Sequence, residues 1–590
     1  MNKRTRYFFI CLLMVASVQA FIEKGLLAQS SADSVIFRAM HDEIERSMHD
    51  LEYRDYAKPC YIGFELNNHF EYVIHAELGA IFRSDTLSNR GWSYRLIVGT
   101  YEINDENFRG QSNDNNMSMG DLADVFPVEN NYWGLRRSIW MKTNDIYLRA
   151  GVNHREKLKL IEQGKISKES LTIHDFTRST PVEISIDRKT DDPSLDVLKE
   201  KVRRLSEAYY SNRPNIDYST ASLSYNKNDV YYQNSEGTRF KIPQDLLSLN
   251  VTLKKETGNY DFNVRTLSVI AESFDELPSL EQLQQDVEKL VEDFRKKADA
   301  IIPENEYTGP VLLVGRIASE TLLDNLFDAD HSLYAERNDL VVNTQGDVFF
   351  EEIQNEWQSK MGKRILPDST DIMALPALNE FNGVKLMGNY PIDSDGIIPP
   401  DSIKLVEDGK LLAMLCSRTP TSVTDISNGH YQFYFTSNGL AHFHGPSVIR
   451  IQANKAFSLE GLRQKLIDYA KKEGYDFAYI IRSIPSETAN MPYNFYRINV
   501  ETGEEQLMKN VSLERFIETS EMRKIAFSRD IMVLNTLMNG NRFAIINPNG
   551  LPVSYIGPNA IFVEEMNINV VKDLGKLHTA GDYITNPLKR

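Results

Sequence analysis

Two histidines two residues apart, in the run Ala441-His442-Phe443-His444-Gly445-Pro446, are the side chains of this sequence most suited to joint chemistry. Side chains on a strand alternate between faces, so His442 and His444 point the same way if the run is extended. Two imidazoles on one face can hold a transition metal once a third ligand reaches them, with His430 close by in sequence; otherwise they line a polar cleft. A second cluster, Asp328, Asp330 and His331, offers carboxylates and an imidazole for a metal, or else a solvated helix end and turn. Asp393 and Asp395 form a paired carboxylate set, but Gly388 and Gly396 beside them fit a turn. The phosphate-cradling G-x-x-x-x-G-K-S/T loop, the G-x-S-x-G elbow, H-E-x-x-H and C-x-x-C are all absent from the sequence. Asn547-Pro548-Asn549-Gly550 is turn chemistry, not a phosphate cradle.

The elements that must carry these residues are legible in outline. Ser34–Leu51 repeats Ile36, Met40, Ile44, Met48 and Leu51 at helical spacing, with Asp33 or Ser34 as cap. Tyr61–Thr100 is aromatic and β-branched, with near-alternation that predicts strands. The polar, Asn-rich stretch Asn104–Asp121 predicts a surface loop. Trp140–Gly164 and Asp192–Asn212 predict helices, and Ser219–Phe274 predicts strands with turns at Glu236-Gly237 and Thr257-Gly258. In Leu280–Ala298, Leu283, Val287, Leu290, Val291 and Phe294 share one face and charges fill the other, the pattern of an amphipathic helix. Leu459–Lys472 predicts a helix capped by Ser458 and ended by Lys471, Lys472 and Gly474. Asp408-Gly409 supplies the positive φ angles of a tight hairpin between Ser402–Val406 and Leu411–Leu415. The turn-rich Ile302–Gly309 reads as a boundary. The expectation is an α+β chain of two domains, a mixed α/β sheet domain over 33–302 and a β-rich domain over 309–590.

Gly309–Asp330 (GPVLLVGRIASETLLDNLFDAD) predicts a strand, a small-residue turn and a helix. It resembles the segment that opens the C-terminal domain of the TldD/PmbA family. Met387–Ala413 (MGNYPIDSDGIIPPDSIKLVEDGKLLA) resembles that family's glycine- and aspartate-rich lead into a hairpin. Ser427–His430 and Ser554–Val570 resemble the small-polar segment and the closing strands that follow. The resemblance runs from about Gly309 to Val570 and implies a β-rich, peptidase-like C-terminal fold. In the peptidase branch the helix carries His-Glu-x-x-x-His and binds zinc. Laid onto this chain, Leu323 takes the first histidine's place, Asp324 the glutamate's and Asp328 the second histidine's. The family's third ligand, a late cysteine, has no counterpart in Phe543–Ala560. Leucine donates nothing to a metal, and catalytic zinc needs about three protein ligands. The resemblance therefore implies a motif-lacking, PmbA-like member with no metal or cofactor. Such a member binds extended or unfolded polypeptide, or pairs with itself or with a zinc-bearing TldD-like subunit, by edge-strand contacts. The alternative is an active metallopeptidase with a zinc site relocated to His442, His444, Asp328 and His331.

Composition narrows the partners. The 590 residues hold 66 Lys and Arg against 83 Asp and Glu, a net charge of −17. This excess of acid argues against nucleic acid and against anionic lipid headgroups. Lys3, Arg4 and Arg6 precede the apolar Tyr7–Ala20, and small residues follow as far as Ala28. That is the layout of an export signal over 1–28, too short to span a bilayer comfortably, and it predicts a periplasmic or secreted protein with no stable membrane span. Cleavage leaves Cys60 and Cys416, either two small buried hydrophobes or a pair linking the halves.

Overall fold

The computed structural model describes residues 33–571 except 111–125, 167–170, 189–191, 214, 257–261, 328–330, 344–345, 351–354, 356, 437–438, 488 and 539–549. The predicted export signal, Asp328, Asp330, Asn547-Pro548-Asn549 and the predicted Thr257-Gly258 turn lie outside the described residues. The molecule is α+β. Its helices are α1 (33–50), α2 (Tyr132–Glu162), α3 (Leu195–Ser206), α4 (Ala208–Ser211), α5 (Leu280–Ala298), α6 (Arg316–Phe327), α7 (Leu459–Lys472) and α8 (Thr519–Met522).

The first half is built on one sheet, antiparallel except where the short β4 (Glu183–Ser185) pairs parallel to its neighbour. The long hairpin β1 (Pro59–Glu77) and β2 (Ala80–Val98) continues into β5 (Tyr218–Asn234) and β6 (Arg239–Glu256). Along the outer side of β6 lie β4 (Glu183–Ser185) at one end and β7 (Phe262–Ala271) at the other. A two-residue strand, β3 (Phe108–Arg109), sits apart from this sheet. One face of β1 is apolar and covered by helices: Ile62, Phe64 and Leu66 pack with α1 and α2, and Ile74 and Ala76 pack with α3 and α5. The other face alternates in register with it and is polar: Glu65, Asn67, His69 and Glu71 are all buried. Sequence and structure differ in detail. The Asp33 carboxylate accepts from the Tyr231 hydroxyl at 2.7 Å and pairs with Lys241 at 2.9 Å. Helix α2 starts eight residues before the predicted Trp140 because the Asn131 side chain caps it by accepting from the Gly134 N–H. Asn104 is buried rather than part of a surface loop, since its N–H and side chain are tied to Asp175 and Thr100.

The second half contributes two larger sheets. In one, β8 (Tyr307–Val314) lies between β28 (Ala560–Val570) and β21 (Phe477–Ser483), which leads on to β22 (Tyr493–Asn499) and β23 (Glu505–Met508). The other runs β16 (Lys410–Leu411), β15 (Ile403–Glu407), β12 (Thr370–Ala374), β19 (Val448–Ala453), β27 (Leu551–Pro558) and β26 (Ile531–Met538). Helix α6 lies between them in the largest apolar core of the molecule. The Asp408-Gly409 turn forms as predicted, with φ of 48° and 76°. Its second strand stops at Leu411, because Leu415 leaves the hairpin to bridge Tyr334. Cys416 is buried but not in a strand, and both Cys60 and Cys416 are free thiols. A separate hairpin, β17 (Tyr431–Thr436) and β18 (Gly439–His444), crosses from the second half onto the polar face of β1, β2 and β5.

Candidate functional site

Where that hairpin meets the polar face, a cavity of about 350 Å³ remains between the two halves. Its near wall comes from cross-strand pairs of the β1–β2 hairpin: Glu65 stands opposite Ser93, and Gly63 opposite Arg95. Residues so paired send their side chains to one face, with Cβ atoms about 5 Å apart. Gly63 is required there, since a Cβ would lie 2.9 Å from the hydroxyls of both Tyr61 and Tyr232. Those two hydroxyls hydrogen-bond at 2.7 Å behind the cavity. The far wall comes from Asp395, Ser417, Thr419, Tyr431, His442 and His444.

Arg95 ties the walls together. Its guanidinium grips Glu106 through two bonds of 2.7 Å, reaches Asp395 at 3.0 Å and donates to Thr419 at 3.1 Å. Burial opposes its charge, but Glu106 and Asp395 outweigh burial and hold it well above its ordinary value. Asp395 is placed by a turn. The Asp393 carboxylate accepts from the N–H groups of Asp395 at 3.0 Å and Ile397 at 2.8 Å, and Gly396 takes a φ of 80°. Asp393 itself is fully buried; burial first, then the charge of Asp395, push it well above the carboxylate range. The turn reading of this pair therefore holds, and one of its members also faces the cavity.

His442 and His444 share one face of β18, as their spacing predicts, and both line the cavity. Their environments differ. His442 Nε2 lies 3.0 Å from Glu65 Oε2, and its Nδ1 lies 3.4 Å from Ser93 Oγ. Burial opposes the charged imidazole, but Glu65 outweighs it and raises His442 above its usual value. His444 stacks on Tyr334 at 4.2 Å, and its side chain is exposed where it lines the cavity. Burial pushes it down to about 4. His430 is not in the cavity; it is buried against Asn428 and Ser447.

The motif positions lie elsewhere. Leu323 is 1% exposed inside the apolar core, and Asp324 pairs with Arg515 at 3.0 Å. His331 falls in the short strand β9 (His331–Ser332). Among the described residues, no group of three or more His, Cys, Asp or Glu side chains is arranged to hold a metal ion. Glu65, Ser93, Arg95, Glu106 and Tyr431 were not singled out from the sequence. The available signal was the polar alternation Glu65, Asn67, His69, Glu71 in a strand whose other face is apolar.

A second, larger depression of about 960 Å³ opens between α5, β26, β7 and the segment 483–491. Both β7 and β26 are terminal strands of their sheets. Ser268 of β7 exchanges both backbone bonds with Asn490, at 3.0 and 2.7 Å, so its polar backbone faces outward. Two residues on, Ile270 turns its N–H and C=O to the same side. On β26 the Asn535 carbonyl accepts from the Asn490 side chain, so Val533 likewise faces outward. Two strand edges thus open into one groove.

No family model matches the sequence, and no curated protein matches it. Solved structures do match. A candidate modulator of DNA gyrase from Bacteroides thetaiotaomicron superposes with a TM-score of 0.52 at 11% identity, covering 91% of this chain and 98% of that one. TldE from Thermococcus kodakarensis gives 0.48 at 12% identity, covering 90% and 99%. A candidate gyrase modulator from Thermotoga maritima gives 0.47 at 12%, covering 86% and 96%. At this identity the likeness is one of fold, and that fold is the TldD/PmbA fold expected from the motif series.

Proposed function

We propose that this chain is an exported polypeptide-binding protein of two units, 33–302 and 309–590, which uses the TldD/PmbA fold without zinc chemistry on α6. The observation that carries the reading is the groove between β7 and β26. An extended segment laid there finds unpaired backbone groups on both walls, and main-chain bonds of this kind give affinity without demanding a sequence. The groove's flanks carry Asp286, Lys289 and Lys385, polar groups that keep it hydrated when empty. On α6, the place of the first zinc ligand is a leucine packed in the core, and Asp324 is engaged by Arg515. The reading calls for no cofactor. The same edges serve equally for a zinc-bearing homologue or a second copy of the chain.

The test is fluorescence anisotropy with labelled, permanently unfolded casein. Binding should weaken about tenfold, ~1.4 kcal/mol, in Val533→Pro and in Ile270→Pro, because each removes an outward N–H. Melting temperature should barely change, since proline is tolerated at an edge. Absence of casein binding, or binding indifferent to both prolines, would sink the reading.

A further inference from the structure

The cavity holds an arrangement that the groove does not need. Ser93 and Glu65 are a cross-strand pair, and the His442 ring lies across both of them, one nitrogen on each. A carboxylate only accepts, so His442 donates its Nε2 proton to Glu65. Its Nδ1 is then left to accept from the Ser93 hydroxyl. That is a hydroxyl, a base and a carboxylate that orients the base, in hydrogen-bonding order. The Ser93 contact of 3.4 Å is loose, as such contacts are before substrate tightens them. The roles matter here, not which ring nitrogen serves which partner, since the constellation is recognised by geometry.

Two further groups face the same space. Tyr431 lies 5.6 Å from the His442 ring and 4.8 Å from the His444 ring, centroid to centroid. Burial pushes the Tyr431 phenol up to about 12, so it keeps its proton, and His444 stays neutral with one N–H to give. Both can donate to an oxyanion formed inside the cavity. Arg95 does not serve this role, because Glu106, Asp395 and Thr419 already engage it.

We propose that Ser93, His442 and Glu65 form an acyl-transfer centre that hydrolyses a small, polar ester or amide. Ser93 Oγ attacks the acyl carbon and its proton passes to His442 Nδ1. The bond to the leaving alcohol or amine breaks, and that group departs with the proton from His442. Water then attacks the acyl-serine, giving up a proton to His442, and the freed Ser93 oxygen takes it back as the acid leaves. One water is consumed and nothing is oxidised or reduced. Glu65 is a positioning residue that holds the ring and its tautomer. A cavity of about 350 Å³ limits the acyl group to a few heavy atoms beside its polar walls.

The experiment treats the full mature chain with a fluorophosphonate probe and maps the adduct by mass spectrometry, alongside hydrolysis of p-nitrophenyl acetate. The expected result is about one adduct per chain on Ser93. Ser93→Ala and His442→Gln should each lower the serine-dependent ester hydrolysis by about a hundredfold or more. Glu65→Gln should move the rising limb of the pH–rate profile to lower pH, because Glu65 is what raises His442. A purely structural Glu65 would leave that limb in place. If Ser93 takes no adduct and Ser93→Ala hydrolyses the acetate like the wild type, the proposal is overturned. Casein binding by Ser93→Ala reads out the groove separately, so the two readings fail independently.

Discussion

Helix α6 and strand β18 both carry positions marked for chemistry, and they sit in opposite surroundings. On α6, Leu323 is packed into an apolar core between two sheets, while Asp324 pairs with Arg515. Leu323 fills space there, and Asn325 ties the helix to neighbouring backbone at Thr321, Arg515 and Ile517. The chemistry-bearing face of β18 instead meets a second polar surface, and the mismatch between the two leaves a cavity lined with paired charges. The difference teaches that a site survives where polar groups from separate elements satisfy one another. On a helix enclosed by apolar sheets, a leucine packs better than a histidine would.

The sharpest way to break this comparison is to place a histidine at position 323. Leu323→His should lower stability by about 4 kcal/mol in chemical denaturation, because it trades core packing for a buried imidazole. A variant as stable as wild type would show that α6 tolerates a ligand after all. Next comes acid sensitivity. Burial pushes His430 down to about 4 from 6.5. The unfolded chain therefore takes up this proton first. Stability from His430 is fully present above about pH 6.5 and falls as pH drops toward 4, by about 3 kcal/mol at the limit. His430→Gln should flatten that part of a stability–pH curve.

Asn325→Ala tests the structural role of α6, and removing its bonds should cost about 2 kcal/mol by denaturant titration. The smallest effect concerns β18. His442 is raised, so its contribution is fully present below its unfolded value and is lost as pH rises through the folded one. Glu65→Gln should therefore cost about 1 kcal/mol at pH 6 and less at pH 9, read as a melting difference that narrows with alkalinity.

Much of the scaffold was legible because its signals are local. Helix α5 runs over the predicted Leu280–Ala298, with Ser279 and Gln282 closing a capping box. Helix α7 covers the predicted residues, with the Ser458 hydroxyl accepting from Gly461 N–H. Helix α2 begins before the predicted Trp140, although Leu135 and Ile139 already carry its buried stripe through that stretch, next to the exposed Trp133. Asn104 was misplaced because its partner Asp175 is distant in sequence.

The sequence by itself determined that His442 and His444 share a face, that Asp393-Ser394-Asp395-Gly396 turns, and that position 323 is a leucine. These follow from strand period, turn chemistry and side-chain identity, which act within a few residues. Only the tertiary structure decided that Glu65 meets His442 across 377 positions of chain, and that Ser93 stands opposite Glu65. Only it decided that two sheet edges open into one groove. Such contacts depend on sheet register and on how separately formed layers dock, and neither leaves a period in the sequence.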